Sequence, residues 1–430
     1  MFLRRLMEFD NDSALGGHEH MSMLIEPPAT SEVPVAASPS DLDELRRRLK
    51  GKRVAIAHDY LTQRGGAERV VLAMSRAFPE ATIYTTLYNA DTTFPEFRDR
   101  DVVVSPLNRV AAFRNDHRRA LPALAVASSR LRIEADVVIA SSSGWAHGFS
   151  TEGKVVVYCH TPARWLYLTE QYLGQGRGAR LMNAAIAPLV PSLRRWDKRA
   201  AERAHTYIAN SSVVRERIGD VYGFDAHLLF PPHSVDTTGE LEAIDELAEF
   251  SSQGHFLIVS RLLPYKNVHR AIEAFRDVPA KRLLIVGDGP MRDELARNLP
   301  ANVRLVSGIS DAQLRWAYAN SIALIAPSHE DFGLTVLEAA AWGRPTLALR
   351  AGGYLDTVVP GVTGAFFERP DAPEIRDAVA SFDASAWSAD AIREHAAAFS
   401  EERFAARLVA FASRALVDAA DGVEVRAHAA

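Results

Sequence analysis

Two glutamates, Glu330 and Glu338, stand eight positions apart in Ser328-His-Glu-Asp-Phe-Gly-Leu-Thr-Val-Leu-Glu-Ala339. Two carboxylates can act as a catalytic acid–base pair, or frame a ligand held between them. Two cations, Arg261 and Lys266 in Ser260-Arg-Leu-Leu-Pro-Tyr-Lys266, have the charge and donors that suit a diphosphate. Gly65 and Gly66 are adjacent, so they are not a G-x-G-x-x-G fingerprint. They read either as a turn needing positive φ or as a place where a ligand approaches the backbone. His160, in His160-Thr-Pro162, reads either as an ordinary packed histidine or as a hydrogen-bond donor and proton shuttle near pH 7.

These residues fall where strands end. Ile322–Ala326 is a short apolar run closed by Pro327, which predicts a buried strand. Leu334, Leu337 and Ala341 then recur at helical spacing, with Gly343 placed to stop the helix. A strand, a loop and a helix N-terminus in that order favour an anion through unpaired N–H groups and the helix dipole. Glu330 sits on the loop and Glu338 one turn into the helix, so both can frame a ligand held there. Arg53–Ala57 leads in the same way into Gly65-Gly66 and the helical pattern Val70, Val71, Met74, Ala77.

Further strands are predicted at Val102–Val104, Val137–Ile139, Val155–Tyr158 and Tyr207–Ala209. A second series follows at Phe256–Val259, Arg282–Val286, Val303–Val306, Ala323–Ala326 and Thr346–Leu349. Strands separated by helices imply parallel sheets, whose ligands bind beyond the carboxyl ends of the strands. The fold class is therefore α/β: two Rossmann-like doubly wound domains facing a cleft. Residues 1–50 are expected to be a disordered tail and a short helix, 51–235 the first domain and 236–252 an acidic linker. Residues 253–399 form the second domain, and 400–430 a C-terminal helix, with Phe404, Leu408 and Phe411 on one face, and a tail.

Composition narrows the function. The chain has 430 residues, 48% hydrophobic and 24% charged, as expected of a globular protein of two or three domains. A net charge of −5 argues against a general nucleic-acid binder. A lone cysteine, Cys159, removes disulfides and Cys-rich metal sites. No run reaches the roughly 18–20 apolar residues of a membrane span, and the N-terminus lacks a secretory signal, so a cytoplasmic location is expected. Residues 1–40 are acidic and weakly patterned; Asp10-Asn-Asp12 in that tail resembles a D-x-D metal pair but has no flanking strand. Residues 177–203 carry seven Lys and Arg against Asp197 and Glu202. They read either as a helix lying on the anionic inner face of the cytoplasmic membrane or as a solvated outer helix.

Taken together, Gly65-Gly66 after the first strand, Ser260-Arg261 with Lys266, and Glu330-x7-Glu338 around Phe332-Gly333-Leu334 resemble the retaining glycosyltransferases of family 4. That family has the two-domain glycosyltransferase-B fold, and the resemblance spans roughly residues 52–415. Tyr158-Cys-His-Thr-Pro-Ala-Arg164 and Glu330-Asp-Phe-Gly-Leu334, with Trp196-Asp197 and Ala209-Asn-Ser211, look like the bacterial mannosyltransferases that build O-antigen polysaccharides. The resemblance implies a GDP-mannose donor, a lipid-linked or saccharide acceptor, and no metal or other cofactor. It also implies that Arg261 and Lys266 hold the donor diphosphate, that Glu338 accepts from the ribose hydroxyls, and that Glu330 contacts the transferred sugar. The amides of Phe332, Gly333, Leu334 and Thr335 would meet sugar and phosphate, Gly65 and Gly66 would let the first domain close over the phosphates, and His160 would lie near sugar and acceptor. Thr335 stands where many relatives have proline, and Pro232-His-Ser-Val-Asp236 where the usual connector is shorter.

With both glutamates assigned to donor binding, front-face attack by the acceptor hydroxyl is the expected route, driven by stabilisation of the leaving diphosphate. Another nucleotide sugar (UDP- or dTDP-linked), a sugar-nucleotide epimerase on the same architecture, and a non-catalytic sugar-nucleotide sensor are the competing readings.

Overall fold

The computed structural model describes residues 39–167 and 187–420. The acidic N-terminal segment with Asp10-Asn-Asp12, and residues 177–186 of the basic stretch, lie outside the described residues. Two all-parallel sheets organise the rest. The first runs in the order β3-β2-β1-β5-β7-β8-β9: β1 is Val54–His58, β2 Thr82–Thr85, β3 Val102–Val104, β5 Val137–Ser142, β7 Lys154–Cys159, β8 Thr206–Ala209 and β9 His227–Leu228. The short strands β4 (Arg132–Ile133) and β6 (Ser150–Thr151) pair only with each other. The second sheet runs β12-β11-β10-β13-β14-β15, with β10 His255–Val259, β11 Leu283–Val286, β12 Val303–Val306, β13 Ser321–Ala326, β14 Thr346–Leu349 and β15 Gly364–Phe367.

Both orders reverse direction once, between β1 and β5 and between β10 and β13, and a crevice forms beyond the strand ends at such a point. The residues singled out from sequence follow those strands: Gly65-Gly66 follow β1, Arg261 and Lys266 follow β10, and Glu330 follows β13. Helices cover both faces of each sheet, which is why the central strands read as unbroken apolar runs. β2 and β15 carry too little of that signal to be read from sequence, since Thr82-Ile-Tyr-Thr85 alternates half-buried and buried positions and β15 opens on a glycine.

Two segments differ from the sequence expectation. The C-terminal helix, Glu401–Ala420, is not a separate unit but completes the first domain's core. Phe404, Leu408 and Phe411 are buried there against β1, β5, β7 and the helix Gly66–Ala77, each contributing roughly 1.5–3 kcal/mol. A bidentate Arg76–Glu401 pair fixes its start. The acidic linker also does more than connect: Ile244 and Leu247 are buried in the second domain. The chain thus crosses between domains twice, and the crossings touch where the His233 N–H donates to the Phe399 carbonyl at 3.2 Å.

Candidate functional site

The loop after β13 is held from three sides by three consecutive residues. Glu330 turns to the second domain, where Lys266 Nζ donates to its carboxylate and Ser328 Oγ donates at 2.6 Å. Asp331 turns to the first domain: Arg217 Nη1 donates to Oδ1 at 2.9 Å and Arg164 Nη2 to Oδ2. Phe332 packs between Phe230 and Phe399, one from each crossing, with ring centroids 5.7 and 6.2 Å away. The helix Leu334–Ala341 then starts from Gly333, whose φ of +90° favours glycine, and where a Cβ would lie 2.3 Å from the Tyr354 ring. Gly343 ends it in the left-handed conformation, as expected from sequence (φ +68°).

Glu338, one turn into that helix, is nearly buried. Tyr318 donates to its Oε2 at 2.7 Å, and Arg69 of the first domain stands 3.6 Å from Oε1. The two glutamates therefore occupy different environments, one with a lysine and a serine, the other with a tyrosine and a cation from across the cleft. No acid–nucleophile sharing is built between them.

Arg261 is exposed at the end of β10, on a loop braced by the turn after β11: the Leu262 N–H donates to the Asp288 carbonyl at 2.8 Å and the Met291 N–H to the Leu262 carbonyl at 3.1 Å. The Gly287-Asp-Gly-Pro290 turn thus supports the Arg261 loop. Asn267 ties the same loop to β13 by donating to the Pro327 carbonyl at 2.9 Å.

The glycine pair is not a positive-φ turn. Gly65 is extended at φ −120°, and Gly66 is likewise absent from the positive-φ residues. What the pair provides is space: a Cβ on Gly66 would lie 3.3 Å from Leu334 Cδ1, so the two domains meet there. A Cβ on Gly65 would lie 2.5 Å from Glu68 Oε2. Glu68 is itself buried with that oxygen unpartnered, and burial pushes its carboxyl up to about 7, against smaller opposing effects of hydrogen bonds from the backbone and Gln63 and of the Arg261 charge.

His160 is buried just after β7. Burial, and then the neighbouring His58, push it down to about 3, and its Nε2 is 2.8 Å from Ser141 Oγ. It is a neutral hydrogen-bonding group. Asp197 is buried in the first domain, accepting from Tyr167 at 2.8 Å and lying 3.1 Å from His147 Nε2. The two atoms are close but not hydrogen-bonded. Asp197 anchors the helix Val190–Glu202, whose Arg194, Arg195, Lys198 and Arg199 face outward.

The structure thus brings Gly66, Leu334, Lys266, Glu330 and Glu338 to one cleft, with Arg261 at its edge near Glu68. Arg69, Asp331, Arg164 and Arg217 were not assigned roles from sequence. Arg164 closes a motif quoted above, and Asp331 sits inside another; Arg69 and Arg217 follow the glycine pair and Ala209-Asn-Ser211 by one to two helical turns. Position after a strand was the available signal.

Two family models match: "Glycosyltransferase Family 4" over residues 64–238 and "Glycosyl transferases group 1" over 241–399. A GDP-mannose-dependent alpha-mannosyltransferase of Mycolicibacterium smegmatis is 35% identical over 40% of this chain and 47% of its own length. A glycogen synthase of Pseudomonas aeruginosa is 36% identical over 29% of this chain and 26% of its own. The matched region is therefore less than half the length of either relative. HepE of Anabaena, solved with UDP and glucose, superposes with a TM-score of 0.58 at 17% identity, over 86% of this chain and all of that one. The chain belongs to the family 4 type of glycosyltransferases and has the glycosyltransferase-B fold.

Proposed function

We propose that the protein transfers a sugar with retention, mannose from GDP-mannose, to a lipid-linked or saccharide acceptor in bacterial cell-surface polysaccharide synthesis. The observation that carries this reading is the convergence of Lys266, Glu330 and Glu338 with Gly66 and Leu334 at the meeting point of the two domains. Mannose is supported by the mannosyltransferase relative and by the Glu330-Asp-Phe-Gly-Leu334 motif. The glycogen synthase relative and the UDP-bound neighbour favour a second reading, another nucleotide-sugar donor (UDP- or dTDP-linked) at the same site.

In the proposed reaction the bond from the anomeric carbon to the donor phosphate breaks while a bond to the acceptor oxygen forms on the same face. The acceptor's proton passes to the departing phosphate oxygen. Lys266 and Arg261 stabilise that developing charge, Glu338 holds the ribose and Glu330 the sugar, with the amides of Phe332 to Thr335 close by. Lys266 is already paired with Glu330, so the diphosphate must share that lysine. His160 acts by hydrogen bonding. No metal is required in this scheme. The outward cations of Val190–Glu202 are proposed to rest on an anionic membrane surface; among the described residues no helix is long and apolar enough to cross one.

Transfer assays test the reading. Lys266→Ala and Glu330→Ala should each lower kcat at least a hundredfold with the fold retained, and excess EDTA should leave the wild-type rate unchanged. Wild-type rates in both variants would refute the site. Binding across GDP-, UDP-, dTDP- and ADP-sugars decides the donor, and product analysis with donor alone separates transfer from epimerisation.

A further inference from the structure

We infer that Asp331 is a positioning residue: by holding Arg164 and Arg217 of the first domain, it sets the loop that carries Glu330 in its working place only when the domains are closed. The inference rests on the transferase reading for its consequence, but its geometry stands without it.

Asp331 is the neighbour of Glu330, and the two side chains are gripped by opposite domains. Its own side chain is 12% exposed, and those of Arg217 and Arg164 are 18% and 35% exposed. Burial alone would raise the Asp331 carboxyl, but the two guanidinium charges outweigh it and hold it below its ordinary value. The charged form is thus the stable one in the closed molecule. Each oxygen takes a different arginine, so the carboxylate cannot slide or turn without losing one of them.

The arginines come from two elements of the acceptor side. Arg164 ends the loop Thr161-Pro-Ala-Arg164, just after His160. Arg217 lies on the helix Ser212–Tyr222 and also donates to Thr161 Oγ1 at 2.6 Å. The same helix meets the second domain again where the Ser212 N–H donates to Asp356 Oδ2 at 2.8 Å. Asp331 therefore links the sugar-contacting loop to the loop bearing His160 through one carboxylate. Opening the cleft would part it from both arginines and leave the loop held from its own domain alone, by Lys266 and Ser328 on the Glu330 carboxylate and by the Gly353 N–H on the Glu330 carbonyl at 2.9 Å. Placement errors of about 1 Å at a reacting centre can cost on the order of a hundredfold in rate.

The test combines kinetics, nucleotide binding and an interdomain distance. Asp331→Asn and Arg217→Gln are made singly and together, and spin labels on Arg130→Cys and Arg297→Cys report the distance; the native Cys159 is buried and stays unlabelled. Each single variant should lower kcat ten- to a hundredfold, leave the Kd for GDP or UDP within about threefold, and broaden the distance distribution toward longer values. The double variant should be no worse than the poorer single one. An unchanged distance distribution overturns the inference whatever the activity. So does an unchanged kcat beside measurable wild-type transfer, or a nucleotide Kd that weakens in step with kcat. If the wild type transfers no sugar, the transferase reading fails, and the distance measurement alone decides whether Asp331 holds the domains together.

Discussion

Glu68 places an ionisable group where water cannot reach it, directly beneath Gly65. Its carboxyl is raised from 4.5 to about 7, with burial the dominant cause, and its Oε2 has no partner. The folded protein therefore binds this proton more tightly than the unfolded chain does. The favourable contribution is complete below the unfolded value and is lost as pH rises through the folded one. At roughly 1.4 kcal/mol for each tenfold in proton affinity, ionised Glu68 costs about 3 kcal/mol. Glu68→Gln keeps the shape and removes the charge. Any fixed penalty for its amide is the same at every pH, so the pH dependence isolates the carboxylate. Between pH 5 and pH 8.5 the stability of the variant relative to wild type should rise by roughly 2–3 kcal/mol. On the scale of about 2–4 °C per kcal/mol for a domain of this size, that is a relative gain of several degrees in Tm by scanning calorimetry. Parallel pH profiles for the two proteins would mean that Glu68 is solvated or paired, and would refute the reasoning.

Three further outcomes follow from geometry. In Gly353→Ala the new Cβ would lie 2.3 Å from Phe332 Cα although φ is an ordinary −68°; the Glu330–Phe332 loop must move, and kcat should fall at least tenfold, where an unchanged kcat would show that the loop adapts. Arg69→Met frees one oxygen of Glu338 from a partly exposed pair of the kind worth about 0.2–1 kcal/mol, so nucleotide affinity by calorimetry should tighten up to about fivefold; weaker binding would put Arg69 on the donor instead. His160 has a folded value of about 3, below its ordinary 6.5, so the unfolded chain takes the proton first and stability is lost as pH falls below 6.5. His160→Gln should remove roughly 2 kcal/mol of that loss between pH 7 and pH 5, while a limb near pH 6.5 in the wild-type rate profile that vanishes in this variant would restore the proton shuttle.

The sheets were legible because a strand covered by helices on both faces must be apolar along its length, and Val54–His58 and Ser321–Ala326 carry that mark directly. The site loops were legible for a related reason: position after a strand at the sheet's reversal point is a statement about sequence order. Partnership was not. Arg217 and Asp331 are 114 positions apart, and Arg164 and Asp331 are 167 apart; nothing local to either sequence says that they meet. The direct pairing of Lys266 with Glu330 was hidden in the same way, since the two were assigned to different parts of the donor. Gly65-Gly66 was read as a positive-φ turn or a close approach of ligand to backbone; the backbone adopts no positive φ there, and the pair gives room for Leu334 and Glu68, which periodicity cannot express. The helix Glu401–Ala420 announced an apolar face without saying which sheet it covers.

That last helix has a consequence for synthesis. The second domain is encoded in one uninterrupted stretch, but the first is finished only when Phe404, Leu408 and Phe411 arrive on the face formed by β1, β5, β7 and the helix Gly66–Ala77. A nascent chain emerging at about 5–20 residues per second must keep that face exposed while the whole second domain is made, a wait on the order of ten seconds or more. The later-made domain can thus fold before the earlier one is sealed, and a ribosome that stalls within the final helix would release a chain with one finished domain and one open apolar surface for chaperones to bind.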